Sequence, residues 1–324
     1  MKKFIAFSIL ILLTGCFNSN IDNNNNPIYK ASDFFFNDQN KILVYEGSGN
    51  EFADYEVFFE FTSNGSVQRR IINPGTTSVE VLTTESDSII RKFHEAERFY
   101  IYNNLNDVND DEVIIKDPIE VGTKWDVEGG TREITKVDVE IFTDVKTYDA
   151  VEVKIIRNEV TTLEYYAKDV GLIKSIFNPG PDEVTSTLKE IKSSPLLISI
   201  DLFYPEEDSV NTKSINFETN ANFIDLLEEE YKKEFDGVRS PLSSNTNINN
   251  ITIVEDVLYV DLSEDFIEES NAGASYEGLM IQSIVNTFGK FYEKDKVILT
   301  IDNGPYVSGH FSFDVNEILT PDYD

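Results

Sequence analysis

Tyr55, Val57, Phe59 and Phe61 stand at every second position, with Glu56, Phe58 and Glu60 between them, and Asn64-Gly65 follows before Val67 to Ile72 resumes the pattern. Side chains of period two share one face of a strand, and Asn-Gly readily supplies the left-handed residues that a tight hairpin needs. This stretch is therefore committed to antiparallel pairing. The same rhythm predicts strands at 77–82, 88–93, 98–102, 132–143, 150–157, 163–167, 172–177 and 184–191. Val151, Val153 and Ile155 against Glu152 and Lys154 leave one face wet, which fits a curved sheet or half-barrel over residues 31–192 and not a doubly wound parallel sheet. Phe93, Phe99, Trp125 and Phe142 are expected in its core, and a concave sheet of this kind offers an alternative use as a carrier of an apolar ligand.

The rhythm changes after Ser193-Ser194-Pro195. An apolar strand at 196–204 and a second candidate at 214–218 precede Asn220 to Asp236, where Ile224, Leu227, Tyr231 and Phe235 recur at helical spacing. Asn220 or Asn222 can cap its start and Gly237 its end. A hairpin across Glu255-Asp256 joins 248–254 to 258–262, Ser275 is expected to open a second helix, and Val297 to Ile301 reads as a parallel or central strand. The chain is thus expected to be α+β, an antiparallel β-rich domain over 31–192 followed by a two-helix α/β sandwich over 193–319 and a tail over 320–324.

Several separated blocks in this second region resemble the sporulation and spore-germination (GerMN) domain. They are Ile200-Asp201-Leu202-Phe203-Tyr204, Phe235-Asp236-Gly237, Val257 to Ser263, Asn271 to Glu277, Ile281 to Phe288, and Val297 to Asp302 leading to Ser308-Gly309-His310. The resemblance spans roughly residues 196–315 and departs from the family where Val238-Arg239-Ser240 intervenes before Pro241. It implies an envelope lipoprotein of Gram-positive type that works in sporulation or germination by contact with envelope proteins or cell-wall polymer. In the first region, Tyr165 to Lys174 resembles a hairpin common in bacterial lipoproteins of half-barrel type, a likeness that carries no site.

The N-terminus agrees with that implication. Lys2 and Lys3 precede a short apolar run, Phe4 to Leu13, and then Leu13-Thr14-Gly15-Cys16. The run is too short for a bilayer-spanning helix, which needs about 20 residues. It reads as a signal peptide over 1–15, and the four residues resemble a lipobox whose Cys16 is diacylated. Two acyl chains suffice for a stable membrane anchor. Residues 16–30, rich in Asn, read as a tether holding the body outside the cytoplasmic membrane. Removal of residues 1–15 takes two lysines and no acid, which moves the formal charge from −32 to −34. Anionic lipid repels such a body, and nucleic acid, which is held by neutralising phosphates, is excluded as a partner.

No catalytic constellation emerges. The single cysteine forbids an intramolecular disulfide, a four-cysteine zinc site and an iron–sulfur cluster. His94 and His310 are the two histidines, and Ser308, His310 and Asp302 lack a nucleophile elbow. Gly273-Ala274-Ser275-Tyr276-Glu277 only approaches the Gly-x-Ser-x-Gly pattern, and Gly47-Ser48-Gly49 lacks the third glycine of a dinucleotide fingerprint. Asn106 to Glu112 begins like a calcium loop but places Glu112 where the turn requires glycine and Pro118 where a bidentate glutamate belongs, so it reads as a solvated acidic turn. The sequence therefore predicts no enzyme, no metal and no cofactor, with lipidation at Cys16 as its one assigned site.

Overall fold

The computed structural model describes residues 29–39, 41–206, 210–218, 223–270 and 273–323. The expected signal segment, Cys16, most of the tether, the caps Asn220 and Asn222, and Asn271-Ala272 lie outside the described residues.

Six strands form the first half of a meander: β1 (Lys41–Ser48), β2 (Tyr55–Ser63), β3 (Ser66–Ile72), β4 (Thr77–Thr84), β5 (Ser88–Ala96) and β6 (Glu112–Lys116). The second half comprises β7 (Lys124–Val127), β8 (Gly130–Phe142), β9 (Thr147–Arg157), β10 (Val160–Ala167), β11 (Gly171–Phe177) and β12 (Val184–Ser193). All pairings are antiparallel, and β1 joins the halves by pairing with β12. The Asn64-Gly65 hairpin forms as expected, with φ of 45° and 81° at the two turn residues.

The two edges, β6 and β7, are consecutive in the chain, and the sheet curls until they approach one another. No backbone ladder closes the gap. Side chains do: Trp125 Nε1 donates to Val113 O at 2.9 Å, and Arg132 Nη1 donates to Ile114 O at 3.2 Å. Arg132 also pairs with Glu112 at 2.7 Å, and Arg157 meets the same carboxylate, so the curved sheet is a nearly closed barrel sewn by one aromatic and two guanidiniums. Burial alone would push the Glu112 carboxyl up, but Arg132, Arg91 and Arg157 outweigh it and hold it below the usual range. The inner face is packed with Leu43, Phe59, Val67, Ile115, Ile134 and Ile173, none more than 3% exposed.

Phe93 and Trp125 are buried as expected, whereas Phe99 is 52% and Phe142 74% exposed. Phe142 ends β8 on an arm whose alternate side chains face solvent, and Phe99 lies in irregular backbone. The expected strand at 98–102 does not form. That segment belongs to a strap over 97–111 whose carbonyls are taken by side chains of β3, leaving no ladder for it to join. Arg70 donates to Arg98 O and, at 2.8 Å, to Tyr100 O; Gln68 Nε2 donates to Tyr102 O at 2.9 Å.

The second unit begins with the hairpin β13 (Leu197–Pro205) and β14 (Val210–Glu218), followed by α1 (Phe223–Tyr231), β15 (Ile248–Val254) and β16 (Val257–Leu262). The helices α2 (Asp265–Ser270) and α3 (Ala274–Phe291) lead to β17 (Lys296–Ile301) and the two-residue β18 (Gly304–Pro305). β13 and β14 form a sheet of their own, while β15 to β18 form a second one in chain order, so the expected sandwich has a split sheet and an added short helix. β17 pairs parallel with β16, in agreement with its largely apolar sequence around Val297-Ile298-Leu299.

Phe223, Leu227 and Tyr231 give α1 a buried stripe at spacing four, but the helix stops at Tyr231 and does not reach Phe235. Asp236 and Gly237, both left-handed, instead make a tight turn bridging Phe235 and Val238, so Gly237 is not the helix cap. Likewise Gly273, at φ 110°, precedes α3, and Ser275 sits within its first turn. The core of this unit gathers Leu202, Leu258, Ile284, Phe288 and Tyr306 around α3, and it also receives Tyr100 and Ile101 from the strap.

Candidate functional site

Two places, one within the second unit and one at its border with the strap, collect polar groups. The first lies where α3 meets the chain after β18. Glu277, in the first turn of α3, is fully buried. It accepts a hydrogen bond from Tyr306 Oη at 2.6 Å on one oxygen and lies 2.6 Å from His310 Nδ1 on the other. Burial alone would push its carboxyl up, but hydrogen bonds from Ser308, Tyr306 and His310 outweigh that and hold it below the usual carboxylate range. Tyr306 is pushed up, first by burial and then by the carboxylate it serves. Ser308 Oγ accepts the backbone N–H groups of His310 and Phe311 at 3.1 and 3.0 Å and so shapes the turn that carries the histidine.

This arrangement is a latch, not a triad. Asp302 is engaged elsewhere, accepting from Asn249 Nδ2 at 2.9 Å and from the backbone of Glu264 at 3.2 Å. Ser308, His310 and Asp302 are therefore not brought together as a catalytic set. The Glu277–His310 pair spans 33 residues and escapes sequence reading, although each residue ends one of the blocks that carry the family resemblance.

The second place is a cleft of about 400 Å³ between the strap and the edge of the second unit. Phe61, Tyr102, Phe223 and Tyr292 supply aromatic surface, and Asn103, Asn106 and Asn250 supply amides. Both walls are held in place. Tyr102 is fixed at its carbonyl by Gln68 and at its hydroxyl by the N–H of Ile253 at 3.4 Å. Phe223 stacks on Phe291 with ring centres 4.9 Å apart.

The other residues singled out by sequence have structural partners. His94 is exposed on β5, and Asn109 closes a pair of bonds with its backbone at 2.9 and 3.0 Å. In the acidic turn, Asp110 lies 2.5 Å from Arg91, and Asp107 accepts from Asn104 at 2.7 Å, so these side chains brace the turn. Among the described residues no group of three or more His, Cys, Asp or Glu side chains could hold a metal ion, and no helix is long and apolar enough to cross a membrane.

Comparison with known proteins adds one family and several distant folds. The family model Germane, described as sporulation and spore germination, matches residues 201–307. The first GerMN domain of the sporulation protein GerM from Bacillus subtilis is 18% identical, with a TM-score of 0.28, and covers 37% of this chain and 96% of its own. A protein described as a lipoprotein from Parabacteroides distasonis is 12% identical, with a TM-score of 0.28, and covers 51% of this chain and 100% of its own. A similarly described protein from Clostridium perfringens is 16% identical, with a TM-score of 0.25, over 40% of this chain and 92% of its own. No curated protein matches the chain. At these TM-scores the solved structures carry no argument, and the second unit is identified through its family match alone: residues 201–307 carry a Germane domain, of the sporulation and spore germination family.

Proposed function

We propose that this chain is a lipid-anchored protein on the outer face of the cytoplasmic membrane, and that its Germane unit works by contact with envelope proteins or cell-wall polymer, in sporulation, germination or envelope assembly. The Germane match at 201–307 carries the reading. Leu13-Thr14-Gly15-Cys16 supports the anchor, because a small residue before the cysteine and two acyl chains on it are what stable retention needs. A non-catalytic role is supported by the engagement of Ser308, Asp302 and Glu277 in structural hydrogen bonds, so that these three are not arranged as a nucleophile and its base. The packed inner face of the barrel gives the apolar-carrier alternative no support.

Fractionation of cells expressing the full chain and its Cys16→Ala variant tests the anchor. The parent is expected with the membranes and the variant in the soluble or secreted fraction; equal retention of both overturns the reading. Clearing of wall material in a zymogram would overturn the non-catalytic part.

A further inference from the structure

We infer that the cleft between the strap and the Germane unit is a binding site for an uncharged saccharide. Sugar rings present two chemistries at once: C–H faces that stack on aromatic rings, and hydroxyls that both donate and accept. The cleft offers both. The half-buried rings of Phe61 and Tyr102 provide the aromatic surface, over a floor formed by the buried Phe223 and Tyr292. Asn250 Nδ2 donates to Thr252 Oγ1 at 2.8 Å, which leaves its Oδ1 as an acceptor. Asn103 Oδ1 accepts from the N–H of Leu105 at 3.0 Å, which leaves its amide N–H groups as donors. Asn106 has no partner among the described residues and offers both. A volume of about 400 Å³ is in the range of small-molecule sites.

The competing occupants fit less well. No charged side chain lines the cleft, and the chain as a whole carries −32, so an anionic ligand has no cation to meet. A purely apolar ligand would bury Asn106 without a partner and leave the free ends of the Asn103 and Asn250 amides unsatisfied. A peptide added as a strand would need the open edge of β15, yet the N–H of Ile248 is taken by Glu228 Oε2 at 2.8 Å and that of Ile253 by Tyr102 Oη at 3.4 Å. Plugged at both ends, this edge leaves room for a compact polar ligand and not for a ladder. The inference refines the contact reading by naming a ligand class, and it rests on that reading only for the source of the sugar.

The test is isothermal titration calorimetry of the full chain, in a detergent without a sugar headgroup, against tri-N-acetylchitotriose and maltotriose. Saturable binding of at least one is expected, insensitive to salt between about 50 and about 500 mM because no charge is neutralised. Asn106→Ala and Asn250→Ala, both at exposed positions, are expected to weaken it by roughly three- to tenfold each with an unchanged melting temperature. Failure of both trisaccharides to bind overturns the inference. So does binding that survives the double Asn106→Ala/Asn250→Ala variant, or binding confined to an acidic oligosaccharide such as trigalacturonate. A chain that fractionates with membranes but binds no sugar loses this inference and keeps the anchor.

Discussion

Arg70 tests how the strap is held. Arg70 and Glu60 are each only 2% exposed, on the outer face of β2 and β3. The guanidinium meets the Glu60 carboxylate through Nε, the Arg98 carbonyl through Nη1 and the Tyr100 carbonyl through Nη2. Arg70→Ala would leave Glu60 buried with Gln68 as its remaining hydrogen-bond donor, at 2.7 Å. Breaking one side of a buried pair costs about 3–5 kcal/mol, because the surviving charge is uncompensated. Two strap carbonyls lose their donors as well, and Tyr100 and Ile101, each 3% exposed, are anchored in the second unit's core by that backbone. The expected result is a loss of about 3–5 kcal/mol, or a fall of roughly 1 M or more in the urea midpoint for a slope near 3 kcal/mol/M. Trp125, the sole tryptophan, reports the barrel by fluorescence, and amide exchange across 98–104 reports the strap. The double variant Glu60→Leu/Arg70→Met removes both charges and is expected to regain at least half the stability while the strap amides stay unprotected. Loss of less than about 1 kcal/mol in Arg70→Ala, or unchanged exchange at 98–104, would refute the reasoning.

Three further outcomes follow from other contacts. Tyr231→Phe removes a hydroxyl that donates to Phe203 O at 2.6 Å or Ser283 O at 3.0 Å and accepts from Thr287 Oγ1 at 2.8 Å, and it should cost about 1–3 kcal/mol in chemical denaturation. Glu277 has a folded pKa below its unfolded one, so its stabilisation is complete above the unfolded value and is lost as pH falls through the folded value. Melting temperature against pH should therefore decline at the acid end in the parent and decline less in Glu277→Gln; parallel curves would show that the latch carries no such linkage. Gly130→Ala would place a methyl 1.8 Å from Ile156 O, a backbone atom of the paired strand β9, whereas Gly122→Ala meets nothing within 4 Å. Thermal unfolding should therefore show a much larger loss for Gly130→Ala than for Gly122→Ala, whose cost is backbone strain of roughly 1 kcal/mol at φ 96°.

What could be read in advance, and what could not, follows the range of the forces involved. Hairpins at Asn64-Gly65 and Glu255-Asp256 depend on local backbone preferences, and both form. The parallel pairing of β17 shows in the consecutive apolar residues Val297, Ile298 and Leu299, all buried because both faces of the strand are covered there. The strap defeats the same logic. Phe99, Tyr100, Ile101 and Tyr102 look like a strand, yet Tyr100 and Ile101 are buried consecutively and the carbonyls of Arg98, Tyr100 and Tyr102 are satisfied by Arg70 and Gln68, some thirty residues away. Nothing local distinguishes that backbone from a ladder. Phe235-Asp236-Gly237 misleads in a related way, since a left-handed glycine ends helices and also closes tight turns, and only the bridge to Val238 decides between them. The Glu277–His310 latch was hidden by distance in sequence, and the cleft by its dependence on two units meeting.

The strap also separates two meanings of a domain boundary. The chain changes rhythm near residue 195, but the apolar interior of the Germane unit is completed by Tyr100 and Ile101, nearly a hundred residues earlier. A fragment cut at 195 would lack the two side chains that complete this interior and expose apolar surface beside Tyr292, whose ring Tyr100 meets edge-on, and it would adhere to other surfaces there. Partners captured by such a fragment would report the wound and not the protein. The β barrel is thus in part a holder that keeps a wedge of its neighbour's interior in place.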